Sequence, residues 1–471
     1  MARRPAKSAG DARSSQVSRS AEGGASATSA TSIIDASVYS PLPIGARDLL
    51  PETTRRRRAV SGRLVSTFER WGYREVTPPL IEYFEVLGRG LGADEAERCV
   101  RFIEAGTGEL VSLRSDVTPQ IARMVAQRVG GSVGAGEALR LCYAATLVRL
   151  PSGRDDRAQR DQVGIEYVGE DEPVADAELV GLAHEALVGL GLEGHRFDLA
   201  HTAVVREVFA HLGLSPQSAL GRDLLASLAR KDRGSIVALL RGAGWSGSEV
   251  EAVASLCELH GPPSLLPKAR RRLAAVGAGG AVDRLRAIVE TVAREYPEAV
   301  DRIMVDLGEV RGFDYYTGMR MRVWSPGASE PIVRGGRYND MLARYGADMP
   351  ATGFAVDLDA LEEALIAGGA EVVGERQASA RLVATAPGRC TRAGAAQLRA
   401  AAVAEARDAR RRGLRAWIDA DLGLEAAQAT AERRGAERLT WFEIRGRARA
   451  AQLVRERWRR GAKGWRRESR K

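Results

Sequence analysis

The 471-residue chain has few of the residues that build metal centres or stacked aromatic surfaces: four cysteines, five histidines and 5% aromatics. Cys99, Cys142, Cys257 and Cys390 lie far apart, and the histidines form no HxxxH or HxxEH pattern. Reduced, structural thiols are therefore expected, and neither a metal nor any other cofactor is. No apolar run approaches the roughly 20 residues that cross a bilayer. The start, MARRPAKSAG, lacks the apolar stretch of a secretory signal, so a cytoplasmic protein without a membrane partner is expected. Residues 1–37 have no hydrophobic period and are rich in Ser, Ala, Arg and Gly, the composition of a disordered tail. Asp11, Glu22 and Asp35 argue against reading that tail as a transit peptide.

What is present is an ordinary globular composition, 45% apolar and 28% charged, long enough for two or three domains. The net charge of +9 is unevenly placed: residues 381–471 carry 24 Lys and Arg against 10 Asp and Glu, a net +14, so the rest sums to −5. Such a block could meet nucleic acid. It has few aromatics placed for stacking, so an Arg-rich solvated surface is the preferred reading and a nucleic-acid partner is not expected.

Periodicity divides the chain into a core over 38–375, a linker at 376–380 and a C-terminal domain over 381–471. Residues 52–70 predict an amphipathic helix, with Val60, Leu64 and Phe68 at four-residue spacing. REVTPPLIEY, CVRFIEA, LVSLRS, LRLCYAATLVRL and DQVGIEYVG read as extended segments. AELVGLAHEALVGLGL reads as a helix closed by Gly191. Between about 200 and 300 every apolar pattern is helical, which predicts an inserted all-helical unit. Strand patterning resumes with RIMVDLGEV and MRMRVWS, followed by the Gly-rich IVRGGRYNDM and the helix DLDALEEALIAG. After 381, strands RLVATAP, LRAWID and RLTWFEI alternate with helical runs, which predicts a small, mostly parallel α/β domain.

Three polar clusters interrupt apolar surroundings: LRSDVTPQIAR at 113–123, LVRLPSGRDDRAQRDQVGIE at 147–166, and RGFDYYTGMR at 311–320 followed by RGGRYND at 334–340. Taken singly, each has a plain structural reading: a capping carboxylate, core-edge tyrosines, a tight turn. Taken together, carboxylates, an arginine, a glutamine and two tyrosines are what a pocket needs to hold an amino acid's ammonium, carboxylate and polar side chain.

Over roughly residues 41–370 these segments resemble the catalytic body of histidyl-tRNA synthetases. RGFDYYTG is specific to that family and its non-catalytic paralogues. GGRYNDM with PATGFAVDLDAL is similar to its last strand–helix signature, and PPLIEYFEVLGRG to its dimer-forming first motif. The resemblance implies an α+β fold: a class II aminoacyl-tRNA synthetase-like antiparallel-sheet core with a helical insertion, and a degenerate anticodon-binding-like domain at the C-terminus. It also implies histidine contacts at Asp116, Thr118, Arg149, Gln162, Glu166, Arg311, Tyr315 and Tyr316.

Activation of an amino acid needs fixed charges around ATP, because little else stabilises the developing anion. The synthetase pattern supplies Arg-His-Glu, an aromatic two residues before the Gln, and GLERL. Here Arg149 is followed by Leu150 and Pro151, Arg160 stands in the aromatic's place, and Asp357-Leu358-Asp359-Ala360-Leu361 replaces GLERL, with Ala360 at the arginine. LRPEGT has become LRSDVT, which shortens the ammonium-binding glutamate to Asp116. Losses on the ATP side with retention on the amino-acid side resemble the regulatory subunits of short-form ATP phosphoribosyltransferase, as do LRSDVTPQIAR and FDLAHTAVVREVF. That resemblance implies no catalytic residue of its own, self-pairing through 71–90, a separate short-form catalytic subunit as partner in a hetero-octamer, and histidine as effector. A divergent histidyl-tRNA synthetase is the alternative.

Overall fold

The computed structural model describes residues 42–129, 138–153, 156–245, 247–312, 315–370, 380–386, 391–446, 452–462 and 464–468. The expected tail at 1–37 and most of the expected linker at 376–380 lie outside them.

Helix Pro51–Arg70 starts with proline at its first position, where the missing N–H costs nothing. It buries Val60, Leu64 and Phe68 along one stripe and gives way to a turn at Trp71 and Gly72, whose φ of 86° suits glycine. The stripe packs on a nine-stranded sheet. From edge to edge its strands are Arg74–Glu75, Leu139–Val148, Gln159–Val168, Ala351–Asp357, Val333–Arg337, Met319–Trp324, Arg196–His201, Ile303–Asp306 and His260–Gly261. All neighbours are antiparallel except Arg74–Glu75 on Leu139–Val148 and Arg196–His201 on Ile303–Asp306.

One face of this sheet carries the main core with helices Pro51–Arg70, Pro173–Gly189 and Leu358–Ala367. Pro173–Gly189 is apolar nearly all round and correspondingly buried. It starts earlier than the periodicity predicts and turns out at Gly191, φ 82°. The opposite face carries a smaller cluster of Val117, Ile121, Tyr143, Tyr338 and Leu342.

The segment at 200–300 is helical in Thr202–His211, Ala219–Ala229, Arg233–Gly242, Gly247–Ser255, Leu266–Leu273 and Gly279–Glu295. Its all-helical reading needs one correction, because His260–Gly261 forms a two-residue edge strand on Ile303–Asp306. Two residues are too short to leave an alternating signature. The buried side chains of these helices are continuous with the main core.

IVRGGRYNDM, readable as a turn, is a strand at the middle of the sheet, Val333–Arg337. Gly336 has φ 151°, and a side chain there would collide with the Met319 carbonyl. The glycines thus permit close backbone approach rather than a reversal of direction.

A three-stranded sheet of Ile81–Tyr83, Leu110–Leu113 and Arg101–Ile103 stands beside the core, with Ile81, Tyr83, Phe102, Ile103 and Leu110 exposed. In the C-terminal region Arg415–Asp419, Ala380–Thr385 and Arg438–Arg445 are parallel as the pattern predicts. Helices Arg392–Arg411 and Leu424–Arg433 cover opposite faces of them. Antiparallel strands Gln452–Gly461 and Gly464–Arg467 extend the sheet, where arginine density hides the alternation.

Candidate functional site

A cavity of about 960 Å3 opens on the sheet face opposite the main core. Strand alternation puts Arg160, Gln162 and Glu166 on the cavity side, while Asp161, Val163 and Ile165 turn to the helices. Thr118 begins helix Thr118–Met124, and Asp116 caps its entry by accepting the Thr118 N–H at 3.1 Å. Asp116, Thr118, Arg149, Gln162, Tyr315 and Tyr316 all line the cavity. The two tyrosine rings meet edge to face, centroids 4.9 Å apart.

Glu166 lies fully buried beneath this lining. It accepts hydrogen bonds from the Thr118 hydroxyl at 2.7 Å and from the Tyr338 hydroxyl. Burial pushes its pKa up to about 8, assisted by the nearby Asp116 charge and opposed by those two hydrogen bonds. A carboxyl this easily protonated can give or take a proton on a partner such as an imidazole near neutral pH. Asp116 is raised too, first by burial, with Arg149 opposing.

Arg149 donates from Nε to the Ser115 carbonyl at 2.7 Å, and its Nη2 lies 3.8 Å from Glu95. Arg311 is placed apart from the others. It does not line the cavity, its side chain is 62% exposed, and its nearest charge is Glu309 at 3.6 Å.

The other half of the cavity is filled by the protein's own charges. Arg160 Nη1 donates to Glu330 and Asp357, each at 3.1 Å, and Nη2 to Asp156 at 2.9 Å. Arg98 also binds Asp156, and Arg334 binds Glu330 at 2.7 Å. The hydrogen bond from Arg160 holds Glu330 down to about 2. Asp357 meanwhile caps helix Leu358–Ala367, accepting the Asp359 and Ala360 N–H groups. Ala360 is buried in the main core and contributes nothing to the cavity. Asp359 is consumed by Arg47, Arg57 and Arg157. The cations of this half are thus already paired, and a triphosphate would have to displace carboxylates to reach them.

Sequence reasoning passed over Tyr338, Glu95, Glu330 and Arg334. Tyr338 stands in the quoted RGGRYND run, and its hydroxyl bond to Glu166 gives it a place in the pocket. Arg334 opens the same run, whereas Glu95 and Glu330 come from segments without a motif, gathered only by folding.

Comparison with known proteins bears on the fold and the family. A family model described as histidyl-tRNA synthetase matches residues 45–361. The chain is 36% identical over 333 residues to the ATP phosphoribosyltransferase regulatory subunit of Geobacter metallireducens, covering 70% of this chain and 75% of that one. It is 37% identical over 325 residues to the subunit of the same name from an Anaeromyxobacter species, covering 69% and 92%. Among solved structures, an ATP phosphoribosyltransferase regulatory subunit/histidyl-tRNA synthetase from Bacillus halodurans aligns with TM-score 0.70 at 23% identity, over 86% of this chain and 98% of that one. A matched core and relatives above 30% identity, most of whose length is covered, make this chain a member of the ATP phosphoribosyltransferase regulatory subunit family, built on the histidyl-tRNA synthetase fold.

Proposed function

We propose that this chain is the non-catalytic regulatory subunit of an ATP phosphoribosyltransferase, needed for the first step of histidine biosynthesis and for its feedback control by histidine. The glycosyl transfer itself belongs to a separate short-form catalytic subunit that binds ATP and phosphoribosyl pyrophosphate. The observation that carries this reading is the asymmetry of the cavity: the Asp116–Thr118–Gln162–Tyr316 half is open above the buried Glu166, while Arg160, Glu330, Asp357 and Asp156 close the other half on one another.

Histidine binds in the open half, its ring against Glu166 and the tyrosines. Bound ligand shifts the assembly between active and inhibited states to the extent that it prefers one of them. The exposed apolar side chains of the Ile81–Tyr83 and Arg101–Ile103 strands support self-pairing through the 71–90 region within a hetero-octamer. No described helix is long and apolar enough to cross a membrane, which fits a cytoplasmic biosynthetic complex.

Co-expression with the short catalytic subunit tests the proposal. The two chains should co-purify, and histidine should inhibit the pair but not the catalytic chain alone. Failure to form the pair, or inhibition that needs only the catalytic chain, would falsify it. Histidine-dependent ATP–pyrophosphate exchange by this chain would instead restore the synthetase reading.

A further inference from the structure

Glu95 stands in the open half of the cavity, outside every motif that the resemblance supplies. It lies on helix Ala93–Glu97 and lines the cavity with Asp116, Arg149 and Tyr316. Its Oε1 is 3.8 Å from Arg149 Nη2, beyond hydrogen-bond range. Its Oε2 is buried, with no hydrogen-bond partner among the described residues. A buried carboxylate oxygen without a donor is costly, and a bound donor removes that cost.

Among the described residues no group donates to that oxygen, and the Nη2 of Arg149 stands 3.8 Å from the other carboxylate oxygen. Asp116 is an acceptor already held by the Thr118 N–H, and the Nε of Arg149 is committed to the Ser115 carbonyl. Burial and then the like charge of Asp116 raise the Glu95 pKa, against Arg149, a Gly92 backbone hydrogen bond and Arg98, which lower it. Two carboxylates share Arg149 here, and Arg98, the other guanidinium that acts on Glu95, is already bonded to Asp156, so the corner keeps an acceptor without a donor. A ligand that fits must bring positive charge and several N–H donors on one compact group, which describes a primary ammonium. Asp116 reaches one methylene less far than a glutamate in its place. Glu95 comes from a separate element and carries the longer side chain.

We propose that Glu95 and Asp116 jointly hold the ammonium of the bound amino acid, Glu95 reaching across what Asp116 leaves open; this rests on the reading that the cavity takes histidine. The pair makes the site select for an amine as well as for an imidazole. Imidazolepropionate, which lacks the amine, gains nothing from Glu95.

Calorimetric titration of the full chain with L-histidine, histamine and imidazolepropionate tests this. Glu95→Gln should weaken L-histidine and histamine at least about tenfold, the loss expected with a charge-assisted hydrogen bond, and leave imidazolepropionate unchanged. Glu95→Asp, which keeps the charge and guards against a folding defect in the first variant, should fall between. Glu95→Gln combined with Asp116→Asn should lose less than the product of the single losses, since both act on one group. Wild-type affinity for L-histidine in Glu95→Gln, or an equal loss for all three ligands, overturns the role of Glu95 while leaving histidine binding standing. A wild-type chain that binds none of the three overturns the underlying reading and this one with it.

Discussion

Glu166 offers the sharpest test of how the cavity is built, because its charge state should register in the stability of the whole core. The perturbation is pH, read against Glu166→Gln. The folded-state pKa of about 8 lies above the ordinary 4.5, so the unfolded chain releases this proton first as pH rises. Stability is therefore highest below 4.5, falls between 4.5 and about 8, and levels off above. At about 1.36 kcal/mol per tenfold change in proton affinity, the full penalty is about 5 kcal/mol. The side chain is fully buried, so solvent screening does not reduce that figure. A glutamine cannot ionise and escapes the penalty. It keeps one acceptor for the Thr118 or Tyr338 hydroxyl, and any misfit there is a constant offset with no pH dependence.

Urea denaturation of both proteins at pH 5, 6, 7 and 8 gives the comparison. Glu166→Gln should gain on the wild type by roughly 1 kcal/mol for each pH unit across this range. Parallel profiles would refute the reasoning, since they would mean that Glu166 is already ionised when buried, with its charge met by the two hydroxyls.

Two further outcomes follow from the packing around the same strands. Arg57→Met leaves Asp161, Asp359 and Glu362 facing one another without the guanidinium that binds all three, and should cost about 3–5 kcal/mol, read as a lowered urea midpoint. Gly353→Ala would drive a methyl into the Glu166 carboxylate and the Ile165 carbonyl, so it should cost about 1–3 kcal/mol in thermal unfolding and abolish histidine binding in calorimetry.

The elements readable from the sequence are those whose packing is local and periodic. Val60, Leu64 and Phe68 announce their helix because the side chains that repeat along the chain are those that meet one core. Gln159–Val168 is legible for a related reason: polar residues such as Gln162 and Glu166 are interspersed with Val163 and Ile165 because its two faces meet a cavity and a core. His260–Gly261 was not legible, being held in the sheet by its neighbour rather than by its own pattern. Gln452–Gly461 was hidden because long arginines serve on either face of a sheet, their stems covering apolar surface while their heads reach water or Glu405.

By itself the sequence determined where the chain departs from the synthetase pattern. No arrangement of the chain turns Ala360 into a cation or Arg160 into an aromatic ring, so the departure from the synthetase pattern is a matter of composition. Only the tertiary structure decided what replaced it. Arg160 closes on Glu330, Asp357 and Asp156, up to 197 positions away in the chain, because a largely desolvated guanidinium must be paired where folding leaves it. The same holds for Arg311, which shares a motif with Tyr315 and Tyr316 yet points to solvent, and for Glu95, which shares none and faces the cavity. Spacing along the chain fixes residue type and neighbourhood, whereas the direction of a side chain depends on the backbone that carries it and on which charges lie within reach.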